Sequence, residues 1–447
     1  MKKTSKIFSL LVMGISVFGV VSCNNSDDDD PIVVTPVGEA KVVTGTITQN
    51  TTWTANNQYL LSGFVYVAAG VTLTIEPGTV IKGDKPTKGS LIILQGAKIM
   101  AEGTVDKPIV FTSNQPKGQR KAGDWGGLVL LGKAPVNKAG AVIEGENKSP
   151  FGGTEAADNS GSLKYIRIEF AGIAFETDKE INGLTFGGVG SGTKVDYVQV
   201  SYSGDDSFEW FGGTVNAKHL IAYRGLDDDF DTDNGFSGLV QYGLILRDPA
   251  VADQAGDSNG FESDNDGNGS AATPQTSAKF ANITMAMAAG TVDPKFASAI
   301  RIRKNSAISV YNSAITGAWP RTGLRVEGAE SVANFTAGLI KTEGLVLALS
   351  GTQSQGSIEG ITQAIFLGAS AKNAVMAEAD LKLPAGFNSL TAKPGILPQT
   401  GSPLLTGGAT LPAGFESTTY VGAFGTTDWT DKWANFDPQN TDYDLQK

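Results

Sequence analysis

Tyr165-Ile-Arg-Ile-Glu-Phe-Ala-Gly172 and Tyr197-Val-Gln-Val-Ser-Tyr-Ser-Gly204 are two copies of one pattern. Ile166, Ile168 and Phe170 fall on Val198, Val200 and Tyr202. Alternation of this kind marks a strand with one buried face. A third copy is expected from Lys218 to Gly225, with His219, Ile221 and Tyr223 in the inward places. Tyr242, Leu244 and Leu246 continue the series, followed by Ile283, Met285 and Met287. The spacing is uneven, as in a solenoid whose coils carry variable loops. A propeller blade would need about 40–45 residues. One coil cannot bury its apolar face alone, so neighbouring coils must stack into a continuous core.

A second column runs beside the first. Leu184-Thr185-Phe186, Phe208-Glu209-Trp210, Phe230-Asp231-Thr232 and Phe261-Glu262-Ser263 share an apolar-polar start, and Ile300-Arg301-Ile302 and Leu324-Arg325-Val326 extend it. Working back toward the N-terminus, Val71, Leu73 and Ile75 alternate with polar residues before a Pro77-Gly78 turn. Few Asn-Gly or Asp-Gly pairs stand where the hairpins of a sandwich would need them. The pattern predicts an all-β, single-domain right-handed parallel β-helix over residues 42–384. Residues 385–447 are expected to form C-terminal coils and a cap, in which Tyr420 to Gly425, Trp429, Trp433 and Phe436 cover the last coil.

Residues 1–22 read as a secretory address. Lys2, Lys3 and Lys6 precede the uncharged run Ile7–Val21, which is short for a membrane span. Val20-Val21-Ser22-Cys23 resembles the signal of bacterial lipoproteins, which is cut just before a cysteine that is then acylated. Cys23 is the chain's one cysteine, so the mature part has no internal disulfide. Residues 23–41, with Asp27–Asp30 and two prolines, read as an acidic tether. The run after the cysteine also resembles the export signal of Bacteroidota lipoproteins. That likeness implies an outer-membrane protein, lipid-anchored and exposed on the cell surface.

The net charge is −11, and removal of the signal takes away only lysines. This balance argues against nucleic acid, which requires a basic face. It suits cations or neutral ligands such as sugars. Gly-Asp-Trp-Gly-Gly at 123–127, the stretch Gly204–Gly213 and Gly422-Ala423-Phe424-Gly425 resemble a family of uncharacterised β-helix lipoproteins of Bacteroidota with a pectate-lyase-like fold. The resemblance implies the fold and carries no activity. Lipoproteins of that group often serve outer-membrane transporters, which makes such a transporter an expected partner.

Candidate chemistry lies in the second column. If Phe208, Phe230 and Phe261 point inward, Glu209, Asp231 and Glu262 point out, followed by Arg301 and Arg325. Rungs lie about 4.8 Å apart, so these acids must keep protons or hold a cation. Together the five are the expected ligand-binding set. The neighbouring turns supply Asp205, Asp206, Asp229, Asp233, Asp264 and Asp266 as candidate oxygen ligands for calcium. The competing reading is of plain Asp-rich turns. Glu262-x-Asp264-x-Asp266-Gly267 begins like an EF-hand loop, but Thr273 stands where the last glutamate belongs.

Gly204-Asp205-Asp206-Ser207 looks like the Gly-Asp-Asp-Cys segment of polygalacturonases, and Ile300–Lys304 is similar to their Arg-Ile-Lys segment. That likeness implies Asp205 or Asp206 as acid and Arg301 as a subsite anchor, with Glu209 and Asp231 as further catalytic candidates. It fails in two places: Asp231-Thr232-Asp233 follows the Asp-Asp pair instead of preceding it, and a Gly-His-Gly is missing. The leading expectation is therefore a surface lipoprotein that binds a glycan or another extracellular ligand on this acidic face, together with calcium. A pectin-degrading lyase or hydrolase is the alternative, and an adhesive or structural rod the third. His219, the sole histidine, is read as a core residue, and one histidine builds no zinc site. Trp125 and Trp319 sit in turn-like contexts and are candidate platforms for a sugar ring.

Overall fold

The computed structural model describes residues 40–444 except 147, 177–178 and 352–357. The signal, Cys23 and most of the tether lie outside the described residues. Apart from one small hairpin, the described strands join into one sheet of 26 strands whose pairings are parallel. Parallel crossovers of this kind wind right-handed. The chain is thus a single right-handed parallel β-helix.

Each coil has three walls. The first contains Lys98–Glu102 and the opening halves of Gly161–Glu169, Lys194–Ser201, Asn216–Tyr223, Leu239–Arg247 and Lys279–Met287. The second contains the closing halves of those long strands, then Ala314–Gly317 and Val346–Leu349. The third stacks Leu128–Leu131, Leu184–Gly187, Phe208–Phe211, Phe230–Asp233, Phe261–Ser263, Ser298–Ile302 and Thr322–Val326.

One left-handed residue bends each long strand from the first wall into the second. These are Tyr165, Tyr197, His219, Tyr242, Asn282 and Asn312, with φ between 43 and 64°. Non-glycine residues seldom adopt this conformation. Here side-chain stacking holds it in place. Ring centroids are 4.4 Å apart for Tyr165–Tyr197, 4.2 Å for Tyr197–His219 and 4.8 Å for His219–Tyr242. Asparagine, which tolerates the left-handed region, takes over at Asn282 and Asn312.

This bend corrects the expected phase of the third copy. Val198 pairs with Leu220 and Val200 with Ala222, so His219 falls on Tyr197. His219 sits outside, its Nδ1 2.7 Å from Asp196 Oδ1. Ile221 and Tyr223 also face outward. Ile283 and Met285 match Gly243 and Ile245, not Tyr242 and Leu244.

The interior is aromatic at mid-length. Trp210 stacks on Phe186 at 5.6 Å and Phe236 at 5.3 Å. Trp125 and Trp319 are fully buried, which removes them as sugar platforms. Trp125 Nε1 donates to the Glu169 carbonyl at 2.8 Å. A Cβ on the adjacent Gly126 would collide with Ser90 Oγ. The Gly-Asp-Trp-Gly-Gly motif is therefore a packing device.

The C-terminal aromatic segment does not cover the last coil. It runs back along the outside of the second wall as a strap. Its residues meet earlier and earlier coils. Asn312 exchanges hydrogen bonds with Ala409 N and O (2.6 and 2.9 Å), Gln241 with those of Glu416 (both 2.9 Å), and Gln199 with those of Asn435 (2.8 and 2.7 Å). Tyr443 Oη donates to the buried Glu169 at 2.6 Å, and Asp444 reaches Lys82 at 2.6 Å. Ile221, Tyr223, Leu244 and Leu246 pack beneath Ala423, Phe424, Trp433 and Phe436, which explains why they face outward. At the C-terminal end of the core stands the short helix Gln363–Phe366, with Phe366 buried.

Candidate functional site

The third wall places the second column in unbroken register. Leu184, Phe208, Phe230, Phe261, Ile300 and Leu324 are successive partners on the inside. Thr185, Glu209, Asp231, Glu262, Arg301, Arg325 and Glu359 are successive partners on the outside. No loop inserts a rung between the three acids. Loops fold over them, however. Glu209 and Glu262 are 8% and 9% exposed, and Asp231 is half-buried.

A further column, two residues before each inward partner and three before each outward one, joins the turns between walls two and three. Asn182 Oδ1 accepts from Asp206 N at 3.2 Å, and Asp206 Oδ1 from Asp228 N at 2.9 Å. Asp228 Oδ1 accepts from Asn259 N, and Asn259 Oδ1 from Ser298 N at 3.1 Å. Each side chain ties down the next coil through a single oxygen. Asparagine performs this task at 182 and 259, so the charges of Asp206 and Asp228 exceed what the ladder requires.

Charge divides the site into two ends. At the far end Glu262 contacts Arg303 and lies 3.1 Å from Arg301 Nη1. Arg301 also pairs with Glu327 (2.8 Å), and Arg325 with Glu327 (3.0 Å) and Glu359 (3.3 Å). At the near end, no ion pair joins Asp206, Glu209 or Asp231 among the described residues. Glu209 accepts from the Asn182 amide, and Asp231 Oδ1 is sealed from solvent without a hydrogen-bond donor.

Burial, compounded by neighbouring carboxylates, pushes Asp206, Asp228, Asp231 and Glu209 well above the ordinary carboxylate range. Burial and Asp228 push Glu262 up to about 8, against the pull of Arg303 and Arg301. Asp227 is raised in the same way as Asp206, by burial first and then by Asp205.

Three trios bring their oxygens within 4.8 Å of one another: Asp205, Asp206 and Asp227; Asp206, Glu209 and Asp231; Asp228, Asp231 and Glu262. Two oxygens bound to one calcium at about 2.4 Å lie at most about 4.8 Å apart, so the spacing suits that ion. Asp205 and Asp227, with Asp253, line an open cleft of about 440 Å³ floored by Gly204 and Leu226.

Asp229, Asp233, Asp264 and Asp266 belong to none of these trios. Asp229 is buried and lies 3.2 Å from the buried Arg247; burial lifts it to about 6 while Arg247 opposes. Asp233 is likewise pushed up to about 6 by burial and accepts from Asn234 N. Asp264 is paired with Arg303 (2.7 Å) and Lys304 (2.9 Å). Asp266 caps its own turn through the backbone N–H groups of Asn268 and Ser270. Each of these four is engaged by neighbours of its own. Asp227 and Asp228 were expected only as acids of the turn flanking Asp231, and Asn182 and Asn259 were not expected at all. The signal of Asn182, Asp228 and Asn259 lay in the sequence as a constant offset of two residues before Leu184, Phe230 and Phe261.

The fold and the face together define a β-helix of the kind associated with carbohydrates, with a polar site built across successive rungs of one wall. The chain belongs to the family described as pectate-lyase-like β-helix domain, whose model matches residues 45–389. No match was found among curated proteins or among solved structures.

Proposed function

We propose that this chain is a lipoprotein anchored through Cys23 in the outer membrane and exposed at the cell surface, where it binds an extracellular glycan in the cleft beside Asp205 and Asp227. Calcium is the cation expected to neutralise the acids behind that cleft. The reading rests mainly on one observation: the carboxylates Asp206, Glu209 and Asp231 are crowded together, largely enclosed and without a cationic partner among the described residues, next to an open cleft. Such a cluster costs free energy unless protons or a cation neutralise it. The family relationship supports a carbohydrate-related role. A neighbouring outer-membrane transporter is the protein partner proposed for it.

Affinity electrophoresis of the full chain through gels containing a panel of polysaccharides tests this reading. Retardation by at least one polysaccharide in calcium is expected, with loss of retardation in EGTA and in Asp227→Asn. Migration unaffected by any polysaccharide, or retardation indifferent to both changes, would overturn it.

A pectin-degrading hydrolase or lyase is the second reading. It is favoured by Glu209, whose carboxyl is pushed upward by burial and by Glu144 and Asp205, the direction a general acid requires. Against it, Asp231-Thr232-Asp233 follows the Asp205-Asp206 pair instead of preceding it, and no Gly-His-Gly is present. New reducing ends or unsaturated products released from the same panel would establish catalysis.

A further inference from the structure

We infer that the cleft beside Asp205 and Asp227 continues across the neighbouring corner into a second cleft beneath the strap, and that the groove so formed takes a polymeric glycan of several sugar units. This rests on the reading of the first cleft as a glycan site. The second cleft, of about 690 Å³, lies between the second wall and the strap. The second wall supplies Tyr202 and Arg224, and the C-terminal region supplies residues 390–393, 434–437 and 439–440. Each cleft falls within the usual small-ligand range of about 300–1,000 Å³.

The two clefts abut. Tyr202 and Arg224 line one, and Gly204 and Leu226, two residues further along the same two coils, line the other. Two residues span at most about 7 Å. Tyr202 and Arg224 are left-handed, with φ of 54 and 58°, and turn the chain from the second wall toward the third. Neither residue of the ridge raises a side chain between the clefts. Ser203 is fully buried, its Oγ donating to the Asp206 carbonyl at 2.7 Å. Gly225 has no side chain, and a Cβ there would point inward, 2.6 Å from Ser207 Oγ.

The lining of the second cleft suits sugar rings. Tyr202, Leu390 and Phe436 offer apolar surface, and the exposed Thr391, Asp437 and Asn440 offer hydroxyl, carboxylate and amide groups. That mixture matches a ring with apolar faces and polar edges. The cations of the cleft are already engaged by the protein. Arg224 pairs with Asp248, Lys393 with Asp428 and Asp431, and Arg120 donates to the carbonyls of Pro438 and Thr441. Hydroxyl groups, more than net charge, are therefore what this cleft recognises. A small sugar fills one cleft, whereas a chain fills both and gains from the linkage of its contacts.

Calorimetric titration of the full chain in calcium tests the groove. The probes are polygalacturonate, xylan and β-glucan, with the disaccharide and hexasaccharide of each. A hexasaccharide should bind about tenfold or more tighter than its disaccharide. Ala392→Trp, which fills the second cleft from an exposed position, should bring the hexasaccharide down to the disaccharide's affinity, and Asn440→Ala should do so in part. Asp227→Asn, in the first cleft, should weaken both lengths alike. The bound hexasaccharide should also slow hydrogen exchange around Asn435 and Asn440. Thermal melts check that each variant is folded. A hexasaccharide no tighter than its disaccharide, or unaffected by Ala392→Trp, would overturn the continuous groove while leaving the first cleft's reading intact. No binding of any probe, polymers included, would overturn both.

Discussion

Replacing Asp231 with asparagine should stabilise the calcium-free protein at pH 8 and do so much less at pH 5. Asp231 follows Glu209 and precedes Glu262 on adjacent rungs. Glu262 is offset by its two arginines, so Glu209 is the neighbour that counts. Two charges about 4.8 Å apart at an effective dielectric of about 20 repel by roughly 3.5 kcal/mol. The native state avoids this by keeping protons that the unfolded chain releases near pH 4. A carboxyl raised in this way contributes fully to stability below the ordinary carboxylate range. That contribution is lost as pH rises toward the folded value, about 8 for Glu262 and high also for Asp231. From pH 5 to 8 the loss is at most about 4 kcal/mol per group, which agrees with the Coulomb figure. For roughly 400 ordered residues the unfolding entropy is about 0.85 kcal/mol/K, so Asp231→Asn should raise Tm by about 4 °C in EGTA at pH 8. The assay is a thermal melt followed by circular dichroism at both pH values. Calcium should reverse the sign, because the variant lacks a ligand that mass action rewards. A variant no more stable than wild type at pH 8 in EGTA, or equally stabilised at pH 5, would refute the reasoning.

Gln199→Ala removes both hydrogen bonds to Asn435 and should cost about 2 kcal/mol. Hydrogen exchange should quicken around Asn435 while Leu184–Gly187 stays protected. Trp210→Ala should cost about 3–5 kcal/mol, measured by urea denaturation, because the ring is packed between Phe186 and Phe236. Cys23→Ala should move the protein from the membrane fraction to the soluble fraction, and persistence in the membrane would rule out the lipid anchor.

The walls were legible where alternation runs without interruption. Phe208, Phe230 and Phe261 each open a short strand after an acidic turn, so their outward neighbours Glu209, Asp231 and Glu262 line up directly. The long strands were read one residue out of phase at His219, since the left-handed residue at the corner breaks the period of two. Tyrosine, histidine and asparagine share that corner, and no single residue type announces it. Ile221 and Tyr223 seemed inward for a related reason. The strap gives the outside of the second wall an apolar cover that sequence periodicity does not distinguish from the core. Among the acids, position in a turn was readable but partnership was not. Asp229 meets Arg247, and Asp264 meets Arg303 and Lys304, across separations that only the fold brings together.

Solenoids ordinarily behave as chains of nearest neighbours, in which one coil melts without consulting those far from it. The strap changes that. By gripping Asn312, Gln241 and Gln199 in turn and ending at Glu169 and Lys82, it links coils that never touch each other. Fraying at either end is then felt along much of the rod, so local losses are converted into a shared transition. The strap follows the coils in the chain and makes contacts of very long sequence separation, which form slowly. The stacked coils can therefore assemble first and remain open along one side until the strap closes it.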